Sequence, residues 1–527
     1  MLSRVTVSRH LLARLYSSSS SSQWTRDGKN PRAWPAAKIA SSRYELPQKQ
    51  KNSQAKPRMD DGFHPGRNYE PFPFAITEEN EVEVLRKILT PLHESPYQEQ
   101  LESKEDSCRR CLRELTNRIQ QSGASVRVNV NRLPCSMGKI VPATHSTKYR
   151  NFDELSIWYG HDGKTPTVGY LAFPITKHGD TVSVAPNGSL SSKDITVKLA
   201  DILQEFVREQ TKVGVSYTLT SQSGWRRFRI FSNSDDELML TGFLNPRNLR
   251  VSEVSDECEL FRDFMCRRTK DEGLNLKSLY YQATPHSSST GRPDDFPFEF
   301  LSGEKNLVEK VGPYKYVVTP TSHVFPNTSS AANMFEVVRR TIKECFLSDS
   351  DSDDFAGTHG EKKPVILEAN SGSGIMSIVL SDMAEHVIGV DLRSNSIEEA
   401  QRNMELNGIE NLEYLNADLG IVLPRIIDKY CPRLQNELIV VCDIPSGGIR
   451  KSTVEVLRRS DLINKILLTV QGMNLERVMS SIEALCVKDD SGSRPFVPVM
   501  ATPVDMIPMA DKVTVVLALQ RFDSRDK

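Results

Sequence analysis

A glycine-rich turn carries the first residues in this sequence that could do chemistry. The run EANSGSG, from Glu368 to Gly374, follows the apolar segment VILEA and precedes a helical pattern. Gly372 and Gly374 let the backbone approach a ligand and leave helix N-terminal amides free to bind it. Asp391 ends the next predicted strand, where a carboxylate can accept hydrogen bonds from ribose hydroxyls, and Asp418 ends the third. The five residues predict a site for an adenosine-bearing cofactor, although a βα scaffold without a cofactor could share the pattern.

The residues that follow decide between a dinucleotide and S-adenosyl-L-methionine. A dinucleotide site wants a third glycine in a GxGxxG pattern, but Ser377 occupies that position. The fourth predicted strand ends in Cys442, Asp443, Ile444 and Pro445, which puts an acid and a proline at the carboxyl edge of the sheet. Methyltransferases of the Rossmann class hold their target base at that edge. We therefore predict S-adenosyl-L-methionine as the cofactor, with Glu368, Gly372, Gly374, Asp391 and Asp418 as its binding residues.

Repeated strand and helix patterns must position these residues. From about residue 327 to 527, near-continuous apolar strands alternate with amphipathic helices, which predicts an α/β, Rossmann-like module with a doubly wound, mainly parallel sheet. Residues 126–326 contain short alternating strands and one helix, typical of an α+β domain with an antiparallel sheet. Residues 76–125 are predicted to form a helical leader, and residues 27–75, rich in Pro, Lys, Gln and Ser, a disordered linker.

The first 26 residues have the composition of a targeting segment. They contain four arginines, a serine run from Ser17 to Ser22 and no acidic residue before Asp27. This composition is typical of a mitochondrial transit peptide and predicts a location in the matrix, with a disordered tail as the alternative. The nine cysteines, odd in number and irregularly spaced, do not resemble a secreted disulfide framework.

Composition limits the classes of function. The chain has 527 residues, of which 38% are hydrophobic, and no apolar stretch is long enough for a spanning helix, so we expect no membrane partner. The formal net charge of −1 means that a nucleic-acid surface must be a local basic patch. Cys108 and Cys111 form a CxxC pair with only Cys135 nearby as a third ligand, so we expect no metal and predict two thiols on one helix.

Four short motifs resemble those of a known family. They are Lys148-Tyr-Arg150-Asn, Phe325-Pro-Asn327-Thr, the loop LEANSGSG and the segment CDIPSGGI. In order and spacing, over roughly residues 85 to 525, the chain resembles the eukaryotic branch of the RNA uracil-5 methyltransferases. The resemblance implies an S-adenosyl-L-methionine-dependent enzyme that forms 5-methyluridine in tRNA or mitochondrial rRNA. It also implies that Arg150, Asn327, Asp443 and Pro445 contact the RNA.

The chain departs from the family at the positions that carry catalysis. In the family a cysteine thiolate adds to C6 of uracil, and a glutamate later removes the proton from C5. Here Gly472 stands at the cysteine position and Thr514 at the glutamate position. Cys442 could substitute for the nucleophile, but alternation along a strand makes a packing role the expectation. Three hypotheses remain: a uridine-C5 methyltransferase, a noncatalytic RNA-binding or assembly descendant, and a methyltransferase with a target that needs no covalent adduct.

Arginines interleaved with aromatic residues provide candidate RNA contacts. The stretches are Lys148 to Arg150, Trp225 to Arg229, and Arg247 with Arg250. Such residues can stack on unpaired bases while they neutralise phosphates. Arginines on the solvated side of an edge strand would give the same pattern, so both interpretations stay open.

Overall fold

The computed structural model of the protein describes residues 72–123, 127–173, 181–216, 223–284, 296–347, 363–430, 437–487 and 493–521. The predicted transit peptide, 1–26, and most of the predicted linker lie outside the described residues. Of the helices in these ranges, none combines the length and the apolar character that crossing a membrane requires.

Strands and helices alternate as the sequence indicates in the second half of the chain. The strands are β1 (Ser136–Met137), β2 (Phe152–Tyr159), β3 (Pro166–Ala172), β4 (Val182–Val184), β5 (Gly224–Ser232), β6 (Glu237–Asn245), β7 (Asn275–Ala283), β8 (Glu299–Gly303), β9 (Leu307–Val311), β10 (Tyr314–Val318), β11 (Val365–Ala369), β12 (His386–Asp391), β13 (Leu412–Asn416), β14 (Leu438–Ile444), β15 (Ile463–Gln471), β16 (Phe496–Val504) and β17 (Thr514–Arg521). The α-helices are α1 (Glu81–Leu89), α2 (Tyr97–Gln121), α3 (Asp194–Glu205), α4 (Val251–Asp271), α5 (Thr328–Ile342), α6 (Ile375–Leu380), α7 (Ser394–Leu406), α8 (Leu419–Tyr430), α9 (Lys451–Arg459) and α10 (Glu476–Cys486). Both α3 and α5 continue into a π-helical turn, Phe206–Gln210 and Lys343–Leu347.

An eight-stranded sheet forms the framework of the C-terminal module. Its strand order is β1-β16-β17-β15-β14-β11-β12-β13, and the strands from β11 to β15 are parallel. Strand β17 runs antiparallel to both β15 and β16. The chain reverses direction across the sheet between β11 and β14, and in an open α/β sheet the crevice at such a switch point is where ligands bind. The predicted doubly wound, mainly parallel sheet is confirmed.

Helices cover both faces of this sheet. One face packs against α2, α8, α9 and α10, and its core contains Cys442 and Leu468. The other face packs against α5, α6, α7 and the β9–β10 hairpin, and its core contains Val441 and Leu467. Because neighbouring residues on a strand point to opposite faces, these two sets fix the side on which every residue at the carboxyl edge projects.

A second, seven-stranded sheet precedes the module, with the order β4-β3-β2-β5-β6-β7-β8. Its apolar face packs against α1, α3 and α4. The predicted antiparallel sheet is wrong at one pair, because β6 and β7 are parallel. Helix α4 joins these two strands, and a crossover helix is what allows consecutive strands to pair in the same direction.

The two N-terminal helices, α1 and α2, each pack against one of the two sheets. Helix α2 packs on the C-terminal sheet beside α10, and β1 pairs with β16 in that same sheet. The predicted domain limits, including the boundary at residue 126, stay predictions, but Ser136–Met137 pairs with the C-terminal module. Cys108 and Cys111 both lie on α2, as the sequence indicates, and both are free thiols.

Candidate functional site at the carboxyl edge of the sheet

The glycine loop between β11 and α6 has a backbone that its glycines require. Gly372 has φ of 53° and Gly374 has φ of 78°, both in the left-handed region that side chains disfavour. A Cβ at Gly374 would lie 2.1 Å from the Tyr414 hydroxyl, whereas at Gly372 it would meet no atom within 4 Å. The Tyr414 hydroxyl donates to the carbonyl of Gly374 at 2.9 Å and so anchors the loop to β13. Gly374 therefore serves packing, and Gly372 leaves open space above the loop.

Asp391 is the last residue of β12 and supports the glycine loop. Its side chain is buried, and its Oδ2 accepts from the amide of Gly372 at 3.0 Å. The other oxygen accepts from the amide of Arg393 at 2.9 Å. Each carboxylate oxygen can accept a further hydrogen bond, so Asp391 retains capacity for ribose hydroxyls.

Glu368 is a buried acid at the end of β11. One of its carboxylate oxygens accepts from the Ser377 hydroxyl at the start of α6. Burial raises the pKa of Glu368 to about 8, against the opposing effect of the Ser377 hydrogen bonds, and Asp443 and Asp391 raise it further. Glu368 is therefore largely protonated at neutral pH.

Asp418 lies between β13 and α8, directly before the first residue of that helix. Its Oδ1 accepts from the amide of Gly420 at 2.8 Å. Its Oδ2 lies 3.2 Å from a guanidinium nitrogen of Arg450, which reaches across from the loop after β14. Arg450 is mostly exposed, so this ion pair is a weak surface contact.

Side-chain alternation places four polar residues on one face of the sheet, near its carboxyl edge. Asp443 is paired with Thr469 across β14 and β15, and Thr514 begins β17 opposite Gln471. Glu368, Asp443, Thr469 and Thr514 alternate with residues of the core under α2, α8, α9 and α10, so their side chains project to the opposite face, under α5, α6 and α7. We call these four residues the polar row.

Asp443 is the exposed acid of the polar row. Its Oδ1 accepts from the Thr469 hydroxyl, and the side-chain amide of Asn370 donates to its backbone carbonyl at 3.2 Å. The side chain is open at the mouth of the crevice, as is Pro445. Enclosure by surrounding atoms nevertheless raises the pKa of Asp443, and the hydrogen bond from Thr469 opposes that rise. Asn370, held at φ of 60°, thus bridges the ends of β11 and β14 across the crevice.

The two positions of the missing catalytic residues lie side by side. Gly472 directly follows Gln471, whose partner across β15 and β17 is Thr514. Gly472 has φ of 67°, and a Cβ there would lie 3.0 Å from the Leu475 side chain. Thr514 is 3% exposed. The structure therefore places Gly472 and Thr514 close together at the carboxyl edge of β15, with a left-handed backbone at Gly472 that suits glycine.

Cys442 does not replace the missing nucleophile, and that alternative is wrong. The residue is fully buried in the core under α8, α9 and α10, on the face opposite the polar row. Burial raises the pKa of its thiol well above the ordinary value, and Asp443 and Glu368 raise it further. A thiol on the wrong face that stays protonated is a packing residue.

Asn327 and Arg150 are both held inside the protein. Asn327 caps α5, where its side-chain oxygen accepts from the amide of Ser330 at 3.2 Å. Its side-chain nitrogen is buried and has no hydrogen-bond partner within the described residues. Arg150 is buried and donates to Asp153 at 2.8 Å and to the carbonyl of Phe152 at 3.1 Å. The structure thus places Arg150 in an internal ion pair and gives it no surface from which to reach a phosphate.

The stretch from Trp225 to Arg229 is not a stacking platform for RNA. Trp225 and Phe228 are fully buried in the core of the seven-stranded sheet, so this expectation is wrong. Arg227 and Arg229 both pair with Glu154 on the neighbouring strand. The aromatic residues are core because the alternating pattern of β5 turns them inward under α4.

Of the other basic candidates, Arg250 is exposed and pairs with Glu253 at 3.0 Å, where it forms the start of α4. Lys148 pairs with Asp194 at 2.9 Å.

Three residues that the motifs did not single out complete the site: Asn370, Tyr414 and Thr469. Asn370 directly follows β11, whereas Tyr414 and Thr469 lie within β13 and β15, where no sequence signal marks them.

The expectation that no metal is bound stays a prediction. Among the described residues, Glu83, His93 and Glu94 have ligand atoms within 4.8 Å of one another. Glu83 already pairs with Lys87 at 3.2 Å. Exposed acidic groups with a lysine partner do not by themselves point to a metal ion.

Strand order, an antiparallel last strand and the glycine loop together define the fold of S-adenosylmethionine-dependent methyltransferases. Among solved structures, the chain resembles the tRNA (uracil-54, C5)-methyltransferase of Pyrococcus abyssi in complex with S-adenosyl-L-homocysteine. The identity is 20%, the TM-score is 0.52, and the match covers 81% of this chain and 84% of that one.

Sequence comparison extends the likeness to curated relatives. The chain is 24% identical over 454 residues to the mouse protein tRNA (uracil-5-)-methyltransferase homolog A, covering 84% of this chain and 70% of that protein. It is 24% identical to the human homolog B, covering 83% and 84%. No family model matches the chain. The protein is thus a homologue of the tRNA (uracil-5-)-methyltransferase homologs A and B over most of its length, and the resemblance predicted from the motifs is confirmed.

Proposed function

We propose that this protein binds S-adenosyl-L-methionine and RNA but does not form 5-methyluridine by the covalent route of its family. The observation that carries the proposal is Gly472, which offers no thiol and has a left-handed backbone that disfavours any side chain. Uracil C5 is a poor nucleophile until a thiolate adds to C6, and glycine cannot add. Thr514 has no carboxylate to remove the C5 proton.

Support for cofactor binding comes from the glycine loop. The carboxylate oxygens of Asp391 can accept further hydrogen bonds from the ribose of S-adenosyl-L-methionine. The open space at Gly372 leaves room for the end of the cofactor that the backbone amides of the loop would bind. Asp391 supplies negative charge beside a cationic ligand, as Glu368 does once it has lost its proton, and Asp418 supplies an acceptor for the adenine edge. The cofactor would supply a methyl group activated as a sulfonium.

Support for an RNA partner comes from the relatives, which are named as tRNA methyltransferases. A uridine-C5 methyltransferase acting on tRNA or mitochondrial rRNA is the second candidate, because the polar row retains Asp443 where the family binds its base. Within the described residues, however, no thiol projects to the face of the polar row at this edge. This absence supports a protein that does not methylate uridine at C5.

Labelled S-adenosyl-L-methionine gives the decisive experiment. The full chain, with Asp391→Ala as a binding-deficient control, is titrated calorimetrically with the cofactor. It is then incubated with unmodified tRNA and rRNA transcripts beside the human homolog B. We expect measurable cofactor binding, at least tenfold weaker for Asp391→Ala, RNA binding by gel shift, and no labelled 5-methyluridine. Labelled 5-methyluridine from this chain would contradict the proposal, as would wild-type protein that fails to bind the cofactor.

The elevated pKa of Glu368 predicts proton release when the cofactor binds. With a pKa of about 8 the side chain is neutral at pH 7, and a cationic ligand favours its ionised form, so binding should release up to about one proton. The apparent affinity should rise by up to about tenfold per pH unit between pH 6 and 8 and level off above the pKa. Calorimetry at pH 7 in buffers of different ionisation enthalpy measures the release. Glu368→Gln is the control and should release none; a buffer-independent enthalpy for the wild type would contradict the assignment.

We also propose that the protein acts in the mitochondrial matrix, on the strength of the arginine- and serine-rich segment 1–26. The full chain with a C-terminal fluorescent tag should colocalise with a matrix marker. A variant with Arg4, Arg9 and Arg14 replaced by glutamine should stay outside mitochondria. Equal matrix import of both forms would contradict this role of the segment.

A further inference from the structure

One carboxylate oxygen at the mouth of the crevice accepts no hydrogen bond from the described residues. Asp443 uses Oδ1 to accept from Thr469, while Oδ2 has no hydrogen-bond partner among the described residues. The side chain is open to the crevice, and the neighbouring residues Pro445 to Gly447 are exposed. Thr469 is 1% exposed, so its hydroxyl fixes the orientation of the carboxylate. The polar row thus presents one oriented, free carboxylate oxygen to whatever enters.

The chemistry of methyl transfer limits the acceptors that such a site can serve. A carbon acceptor such as uracil C5 requires a nucleophile and a base, and Gly472 and Thr514 provide neither. The nitrogen of an exocyclic amine has a lone pair, shared with the ring, that becomes available when an acceptor holds the N–H out of conjugation and takes its proton. A single carboxylate next to a methyl donor is sufficient for that purpose.

We propose that the acceptor is the exocyclic amine of a nucleobase in RNA, held by Asp443. This inference rests on the proposed function and names its substrate class. The amine nitrogen attacks the methyl carbon of the sulfonium donor: an N–C bond forms, the S–C bond breaks, and its electron pair stays on sulfur as a thioether. The Asp443 carboxylate takes the proton that the nitrogen loses and passes it to solvent.

Two neighbours position Asp443 for this reaction. The Asn370 side chain fixes the Asp443 backbone through its 3.2 Å hydrogen bond to the carbonyl, which ties the target edge to the cofactor loop. Thr469 orients the carboxylate and opposes the rise of its pKa. Thr469→Val should therefore shift the acidic limb of the rate profile to higher pH, because the carboxylate must be ionised to accept the proton. A purely structural role for Thr469 would leave that limb in place.

The activity test uses total RNA from cells that lack the protein. The full chain is incubated with this RNA and labelled cofactor, and the nucleosides are separated by mass spectrometry. We expect label in an amine-methylated nucleoside, reduced at least about 100-fold in Asp443→Asn. Label in 5-methyluridine would overturn both proposals. Cofactor binding without any label in RNA would overturn this inference alone, and label in protein only would show that the acceptor is not a nucleobase.

A binding test does not depend on turnover. Short single-stranded oligonucleotides are titrated by fluorescence anisotropy in the presence of S-adenosyl-L-homocysteine. An oligomer of adenosine or cytidine should bind at least threefold more tightly than one in which the amine is dimethylated and cannot donate. Asp443→Asn should remove the difference. Equal affinity of wild-type protein for both forms would overturn the assignment of the amine to Asp443.

Discussion

Gly374→Ala is expected to abolish cofactor binding, with a loss of affinity above 100-fold. The added Cβ would lie 2.1 Å from the hydroxyl oxygen and 2.5 Å from the ring carbon Cζ of Tyr414, and 2.9 Å from Ala400. Tyr414 is buried and its hydroxyl is hydrogen-bonded to the Gly374 carbonyl, so it cannot move aside. The loop must shift instead, which takes the Gly372 amide away from Asp391. Calorimetric titration with S-adenosyl-L-methionine measures the loss.

Gly372→Ala is the matched control. The two positions share a left-handed backbone, with φ of 53° and 78°, but a Cβ at Gly372 meets no atom within 4 Å. Only the backbone strain of roughly 1–2 kcal/mol applies there, so we expect a folded protein with a smaller loss of affinity. Circular dichroism of both variants separates a misfolded chain from a defective loop. A folded Gly374→Ala variant that binds within threefold of the wild type would show that the contact with Tyr414 is not required.

The sequence was sufficient for the fold of the C-terminal module because its signals are local. Near-continuous apolar strands alternate with amphipathic helices, and each glycine or acid at a strand end has a position that the parallel arrangement fixes. Glu368, Asp391 and Asp443 thus lie at the edge where the pattern placed them. Strand alternation also predicted that Cys442 faces away from Asp443.

Long-range packing explains what the sequence could not predict. Trp225 and Phe228 look the same in sequence whether they stack on bases or on Phe261 of α4, and only the position of α4 over β5 decides it. Arg150 finds Asp153 close in the chain, but the same carboxylate oxygen also accepts from Tyr170 of β3, a contact that only the fold creates. The left-handed backbone of Gly472 depends on the turn that brings Leu475 back against it.

Lys104→Met is expected to destabilise the protein by about 3–5 kcal/mol, because it leaves a buried carboxylate without its cation. Lys104 on α2 is 1% exposed and donates to Asp505 at 2.6 Å and to the carbonyl of Ile507 at 2.9 Å. Asp505 is fully buried, and its other oxygen accepts from Tyr97 at 2.9 Å. Urea unfolding followed by circular dichroism measures the change. The double variant Lys104→Met, Asp505→Asn should recover at least half of the loss, since no buried charge remains.

Further contacts join α2 and the residue Tyr149 to the segment that precedes β17. Gln100 on α2 accepts from the amide of Met509 at 2.9 Å, and Tyr149 donates to the carbonyl of Pro508 at 2.9 Å. The segment from Asp505 to Met509 leads directly to Thr514, so loosening it should disturb the polar row as well as the overall stability. Arg109→Met is the control, because Arg109 pairs with Glu105 and Asp106 near the surface of the same helix and should cost less than about 1 kcal/mol. Equal destabilisation by Arg109→Met and Lys104→Met would show that loss of α2 helix stability, and not the buried pair, accounts for the effect.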